Sequence, residues 1–246
     1  MSKALLMILD GWGKTKNPSV SAITNAKTPF IDSLYENYSN AELLTHGKHV
    51  GLPEDQMGNS EVGHMNLGAG RIIYQDLAKI NKIIENNKLK EEKTIIEAYN
   101  YAKKNNKKVH FLGLLSNGGV HSHINHLIEL LKIAKSENLN KLYIHAFTDG
   151  RDVDPKSAID FIKEIEPVLK KTGAKIATLI GRYFAMDRDQ RWERVKKAHN
   201  LLLKNEGKNT DDLIGELESN YLKGITDEFI PPLVNTINNQ PIAKIE

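Results

Sequence analysis

Three apolar runs of strand length, at 109–115 (VHFLGLL), 142–147 (LYIHAF) and 175–180 (KIATLI), alternate with amphipathic stretches at 124–137 and 155–171. A strand that returns to its own sheet through a helix packs well only as a right-handed crossover, and repeating that unit builds a parallel sheet. The predicted fold class is α/β. The preceding segment, 72–101, has helical periodicity, with Leu77, Ile80, Ile83 and Ile84 on one face.

Ligands of open α/β sheets bind beyond the carboxyl ends of the strands. The first run leads into Ser116, Asn117, Gly118, Gly119, Val120, His121, Ser122 and His123. The second leads into Thr148, Asp149, Gly150, Arg151 and Asp152, and the third into 181–189 (GRYFAMDRD). Each strand end joins glycine to charged or imidazole groups. The arginines gather here, at Arg151, Arg182, Arg188, Arg191 and Arg194, and their planar forks suit phosphate or carboxylate. If the three ends share one rim, they form a cationic pocket for a small anion with a carboxylate inside it. Asp152 is then either half of a surface ion pair or a general base toward a substrate hydroxyl. His121, His123 and His126 lack the i, i+4 spacing that places two imidazoles on one helix face, so His121 reads better as an anion donor than as a zinc ligand.

Toward the N-terminus, 3–10 (KALLMILD) is an apolar run that suits a central parallel strand buried on both faces, closing in Asp10 before Gly11. Thr28 and Pro29 open a short helix over 29–38. The Gly-rich stretch 47–70 reads as a long loop, and loops of that length are usually functional. Ser60 lies within it between Gly58 and Gly63, either as a helix N-cap or as a nucleophile on a tight turn. Asp10 is either a turn former or a hard oxygen ligand for a divalent cation.

Composition narrows the classes. With no cysteine, disulfides and thiolate metal sites are excluded, and a net charge of +3 is too balanced to imply nucleic-acid binding. No apolar run is long enough to span a bilayer or form a signal peptide. A cytoplasmic protein with neither nucleic-acid nor membrane partners is expected.

Five motifs, in order and spacing, carry a resemblance from the first strand to the C-terminus: 10–13 (DGWG), 52–71 (LPEDQMGNSEVGHMNLGAGR), 113–123 (GLLSNGGVHSH), 148–152 (TDGRD) and 181–194 (GRYFAMDRDQRWER). The chain resembles the N-terminal part of the cofactor-independent phosphoglycerate mutases of the alkaline phosphatase superfamily. The resemblance implies interconversion of 3-phosphoglycerate and 2-phosphoglycerate in glycolysis through a phosphoserine, with two Mn²⁺ ions and no bisphosphoglycerate. It implies Ser60 as nucleophile and metal ligand and Asp10 as metal ligand. His121, Arg151, Asp152, Arg182 and Arg188 would bind substrate, with Asp152 also the general base. Residues 1–74 are expected to be the first part of the phosphatase-like domain, and 75–246 the substrate domain.

Asn117 departs from the family pattern without consequence. The family's remaining Asp and His ligands and its substrate-binding lysine have no counterpart in this sequence. Weak metal binding, negligible activity alone and an incomplete sheet in the first seventy or so residues are therefore expected. A separate C-terminal half is the one protein partner this reading admits; otherwise the chain is expected to be a monomer. Competing readings are a non-catalytic module for phosphoglycerate or another small anion, and a related metal-dependent phosphatase or phosphopentomutase.

Overall fold

The computed structural model describes residues 3–54 and 56–245. The chain divides into two compact units, Met1–Lys79 and Ile80–Glu246.

The first unit carries short helices α1 (Ala22–Asn25) and α2 (Pro29–Asn37), a 3-10 turn at Gly47–Val50, helix α3 (Ser60–Ala69) and the start of α4 (Asp76–Glu85). Pro29 opens α2 as its sequence predicts. The expected strand at 3–10 does not form: the segment has no regular structure, and Leu5, Leu6 and Met7 are exposed. An extended run needs a neighbour to satisfy its N–H and C=O groups, and no strand occurs among the described residues of this unit. The expected long loop at 47–70 is shorter, because α3 occupies its second half. Val50, Leu52 and Val62 form a small core. Around it, Asn66 donates to the Val50 carbonyl and accepts from the Ile73 N–H, tying α3 to the chain on either side.

In the second unit, the single periodic segment expected over 72–101 is two helices, α4 and α5 (Lys93–Lys104). Asn87, at φ 55°, breaks it, since the left-handed region ends a helix. Then follow β1 (Val109–Leu114), α6 (Ile124–Ser136), β2 (Leu142–Thr148), α7 (Ala158–Thr172) and β3 (Lys175–Gly181). These three strands pair in parallel, β1 to β2 and β2 to β3, as the alternation requires. Next come α8 (Arg182–Ala185), α9 (Trp192–Lys204), β4 (Lys208–Thr210), α10 (Leu213–Leu222), β5 (Leu233–Ile237) and β6 (Gln240–Pro241). The sheet order is β1-β2-β3-β5-β4, with β6 on β5; β5 runs antiparallel to β3. Ile144, Ala146, Ile165, Leu179 and Leu233 lie in one core of this unit, each nearly or fully excluded from water. Burying a side chain such as Ile144 or Leu179 stabilises by ~1.5–3 kcal/mol, so this core is what fixes the strand ends in place.

Candidate functional site

Register places the strand ends together. Leu114 pairs with Phe147, and Thr148 pairs with Gly181. The chain therefore leaves β1, β2 and β3 along one edge of the sheet, delivering Ser116, Asp149 and Arg182 side by side.

Asp149, only 2% exposed, is the hub of that edge. Its Oδ2 accepts from Ser116 Oγ at 2.7 Å, and Ser116 Oγ in turn accepts from the Gly118 N–H. Its Oδ1 accepts from the backbone N–H groups of Arg151 and Asp152 and from Arg182 Nη1 at 2.6 Å. Burial alone would raise the Asp149 pKa. The Ser116 hydroxyl, the two backbone donors and Arg182 outweigh it, and the carboxyl titrates below its ordinary value. One carboxylate thus orders the loops after all three parallel strands. Arg182 Nη1 also donates to Asp152 Oδ2 at 2.6 Å, and His121 Nε2 lies 3.9 Å from that same oxygen.

Over this hub lies a pocket whose lining includes His121, Arg151, Arg182, Arg188, Arg194 and Glu228. It brings together His121, Arg151, Arg182 and Arg188, while the expected Asp152 does not line it and is joined to it through Arg182 and His121. The expected cationic character is largely compensated. Arg182 faces Asp149 and Asp152, Arg194 faces Asp187 and Asp189, and Arg151 faces Glu228. Among the described residues Arg188 makes no ion pair. Arg194 also stacks over the Tyr183 ring, 3.8 Å from its centroid.

The hub Asp149 and the pocket-lining Asp187 and Glu228 are groups that sequence reasoning did not single out. Asp149 stood inside the 148–152 motif, directly after a predicted strand, and that position was its one sequence signal. Glu228 carries no such signal. It arrives on a 3-10 turn, Asp227–Phe229, about eighty residues after Arg151 in sequence. That turn is clamped: Thr148 Oγ1 donates to the Asp227 carbonyl, and the Gly181 N–H donates to the Ile230 carbonyl. A Cβ on Gly181 would stand 2.3 Å from the Glu228 carbonyl oxygen, so only glycine admits the turn this closely.

In the first unit, Asn59 and not Ser60 is the N-cap of α3, its Oδ1 accepting from the Val62 N–H. Ser60, at the first helical position, is released from capping. Its Oγ donates to Asp10 Oδ2 at 2.7 Å, so residues fifty positions apart meet. Two residues before Ser60, Gly58 lets the chain pass the Thr45 carbonyl, whose oxygen would lie 1.7 Å from a Cβ there. A cleft lined by Asp10, Trp12, His46, Asn59, Ser60 and His64 opens beside the pair.

Asp10 and Ser60 are hard oxygen donors of the class that suits divalent cations. Among the described residues, no group of three or more His, Asp or Glu is arranged to hold a metal. The pair fits part of a coordination shell and not the whole of one. His123 Nδ1 accepts from the Asn125 N–H and caps α6, while His126 Nε2 bonds Asn81 Oδ1. Both are engaged within the fold, and burial holds both below the usual imidazole value.

Residues 80–246 match the family described as BPG-independent PGAM N-terminus, and residues 2–156 match the metalloenzyme superfamily. The chain belongs to the BPG-independent phosphoglycerate mutase N-terminal family. Within that family it is 60% identical over 245 residues to the 2,3-bisphosphoglycerate-independent phosphoglycerate mutase of Flavobacterium psychrophilum, covering 99% of this chain and 48% of the relative. It is 49% identical over 249 residues to the enzyme of the same name from Clostridium perfringens, covering 49% of that protein. A phosphoglycerate mutase of Leishmania mexicana, described in crystal structures at low cobalt concentration, superimposes with a TM-score of 0.74 at 31% identity. That match covers 90% of this chain and 42% of the other. The chain therefore spans about half the length of the mutases it matches. No described helix is long and apolar enough to cross a membrane.

Proposed function

We propose that this chain carries the phosphoryl-accepting serine and the phosphoglycerate pocket of a 2,3-bisphosphoglycerate-independent phosphoglycerate mutase. The observation that carries the reading is the convergence of His121, Arg151, Arg182 and Arg188 on one pocket at the strand ends. Residues 1–74 supply the nucleophile and metal-binding part and 75–246 the substrate-binding part.

In this reading, the pocket arginines and His121 hold the carboxylate and phosphate of the substrate. Phosphoryl transfer needs positioning and charge neutralisation more than covalent help. Ser60 Oγ forms a bond to phosphorus as the bond from phosphorus to the glycerate oxygen breaks. The serine proton leaves along the hydrogen bond to Asp10. The glycerate then presents its other hydroxyl, Asp152 takes that proton, and the phosphoryl group returns. The same carboxyl gives its proton to the glycerate oxygen as the first bond breaks, so Asp152 donates in the first step and recovers a proton in the second, while Ser60 regains its own from Asp10 as the phosphoryl group leaves it. Ser60 is the first residue of α3, and a helix N-terminus favours negative charge.

A bound divalent cation supplies Lewis-acid stabilisation of the phosphoryl oxygens. Asp10 and Ser60 would hold it, with further ligands from the part of the relatives beyond this match, and Mn²⁺ is the ion we assign. The protein partner is that remaining portion, the pathway is glycolysis and the compartment is the cytoplasm.

The test is conversion of 3-phosphoglycerate to 2-phosphoglycerate with Mn²⁺ and no bisphosphoglycerate. It uses the chain alone and the chain fused to the unmatched C-terminal portion of the Flavobacterium psychrophilum relative. We expect negligible conversion by the chain alone, and Ser60-dependent conversion by the fusion. Binding of 3-phosphoglycerate with a fusion that never turns over would instead favour a non-catalytic anion-binding module.

A further inference from the structure

Glu228 is a carboxylate delivered into an anion pocket. Its side chain is 13% exposed, and Oε1 meets Arg151 Nη2 at 2.5 Å. Among the described residues that carboxylate makes no other hydrogen bond or ion pair. Its backbone cannot move away. The Asp227 N–H donates to the Pro155 carbonyl, and Asp227 Oδ2 accepts from the N–H groups of Ser157 and Ala158 at the start of α7. On the other side, added Cβ atoms at Gly150 and Gly181 would overlap Glu228 backbone atoms. The turn is fixed by its main chain and by Asp227, while among the described residues the Glu228 carboxylate has Arg151 as its polar partner.

Sheltering a carboxylate from water costs free energy unless a partner compensates, and here that partner is a group a ligand anion would use. Arg151 remains half-exposed and lines the pocket. An incoming phosphate or carboxylate therefore meets an arginine already neutralised, with a like charge fixed beside it. We infer that Glu228 is a resident counter-anion which competes with the ligand for Arg151. It weakens binding, takes the guanidinium back as the ligand leaves, and so sets the affinity and release rate of the pocket.

The inference rests on reading this pocket as a phosphoglycerate site, and its test separates the two. Calorimetric titration of the full chain with 3-phosphoglycerate and with inorganic phosphate compares wild type, Glu228→Gln, Arg151→Gln and the double variant. Gln keeps the shape of Glu and leaves the clamped main chain intact, so the thermal midpoint of Glu228→Gln is expected to match wild type. Removing the competing charge is expected to tighten binding about tenfold, chiefly by slowing dissociation. In the Arg151→Gln background the same change is expected to gain less than about twofold, because the coupling runs through the arginine.

Weaker or unchanged affinity for both anions in Glu228→Gln overturns the inference, as does an equal gain with and without Arg151. If Arg151→Gln weakens 3-phosphoglycerate binding but Glu228→Gln strengthens the binding of neither anion, only the counter-anion role falls. If Glu228→Gln tightens phosphate and not 3-phosphoglycerate, the counter-anion role stands and the substrate reading falls. If no variant binds either anion, both fall.

Discussion

Asp149 Oδ1 lies 2.6 Å from Arg182 Nη1, and the two side chains are 2% and 7% exposed. A buried pair of this kind contributes less to net stability than its attraction suggests, but losing one partner strands the other. Asp149→Asn removes the charge and turns a donor toward Ser116. We expect a loss of about 3 kcal/mol, the low end of the range for breaking a buried pair, because Asp152 still faces Arg182. Urea denaturation measures it. The Asp149 pKa is depressed in the folded chain, so its contribution is complete above the ordinary value of 3.8 and lost as pH falls below it. The variant should lack that acid-dependent component.

Arg182 and Arg188 line the same pocket but should respond differently to substitution. Arg188 makes no ion pair among the described residues, whereas Arg182 is held by two carboxylates. Arg188→Ala should weaken 3-phosphoglycerate binding and leave the thermal midpoint within about 0.5 kcal/mol of wild type in stability. Arg182→Ala should lose both binding and about 3–5 kcal/mol of stability, because it leaves buried carboxylates without their cation. Paired calorimetry and thermal melts of the two variants check this; equal stability losses would contradict the assignment of Arg182 as structural support.

His145 is fully buried on β2, with Nε2 2.8 Å from His110 Nδ1 and Nδ1 2.8 Å from Thr178 Oγ1. Burial, with His110 adding to it, pushes its pKa from 6.5 to about 4. The folded chain thus keeps this ring neutral while the unfolded chain takes up a proton near the ordinary value. Stability is complete above that value and falls as pH drops toward about 4, by a total of ~3 kcal/mol at roughly 1.4 kcal/mol per unit. Urea midpoints across that interval measure the slope. A His145 resonance that titrates near 6.5 in the folded chain would contradict it.

Much of the second unit was legible because its strands and helices announce themselves by period. The three parallel strands match their apolar runs almost residue for residue. β4 was hidden because 208–210 (KNT) is short and polar, and β5 because Pro231 and Pro232 stand before it. Sequence also does not reveal that β5 runs against β3. In the first unit, the apolar run at 3–10 has strand composition without a strand partner among the described residues, and composition does not report pairing. The resemblance named Ser60 and Asp10, while local sequence left Ser60 open as an N-cap. The structure gives that role to Asn59. Glu228 was invisible because it reaches Arg151 through tertiary packing alone.

Gly58 offers a test of how Ser60 is placed. Its missing side chain allows the chain to pass the Thr45 carbonyl, where a Cβ would stand 1.7 Å away. Gly58→Ala should displace the chain leading into α3 and break the hydrogen bond from Ser60 to Asp10. We expect loss of Ser60 phosphorylation in the fusion protein with 3-phosphoglycerate binding kept within about twofold. Phosphopeptide mapping beside calorimetry separates the two effects.

The most direct test of the central claim is to trap the transferred group. The fusion protein with Mn²⁺ is mixed with 3-phosphoglycerate, quenched in acid and mapped by peptide mass spectrometry. One phosphorylated site is expected, Ser60, and it disappears together with isomerisation in Ser60→Ala. Isomerisation that persists in Ser60→Ala, or a phosphoryl group mapped to another residue, would contradict it.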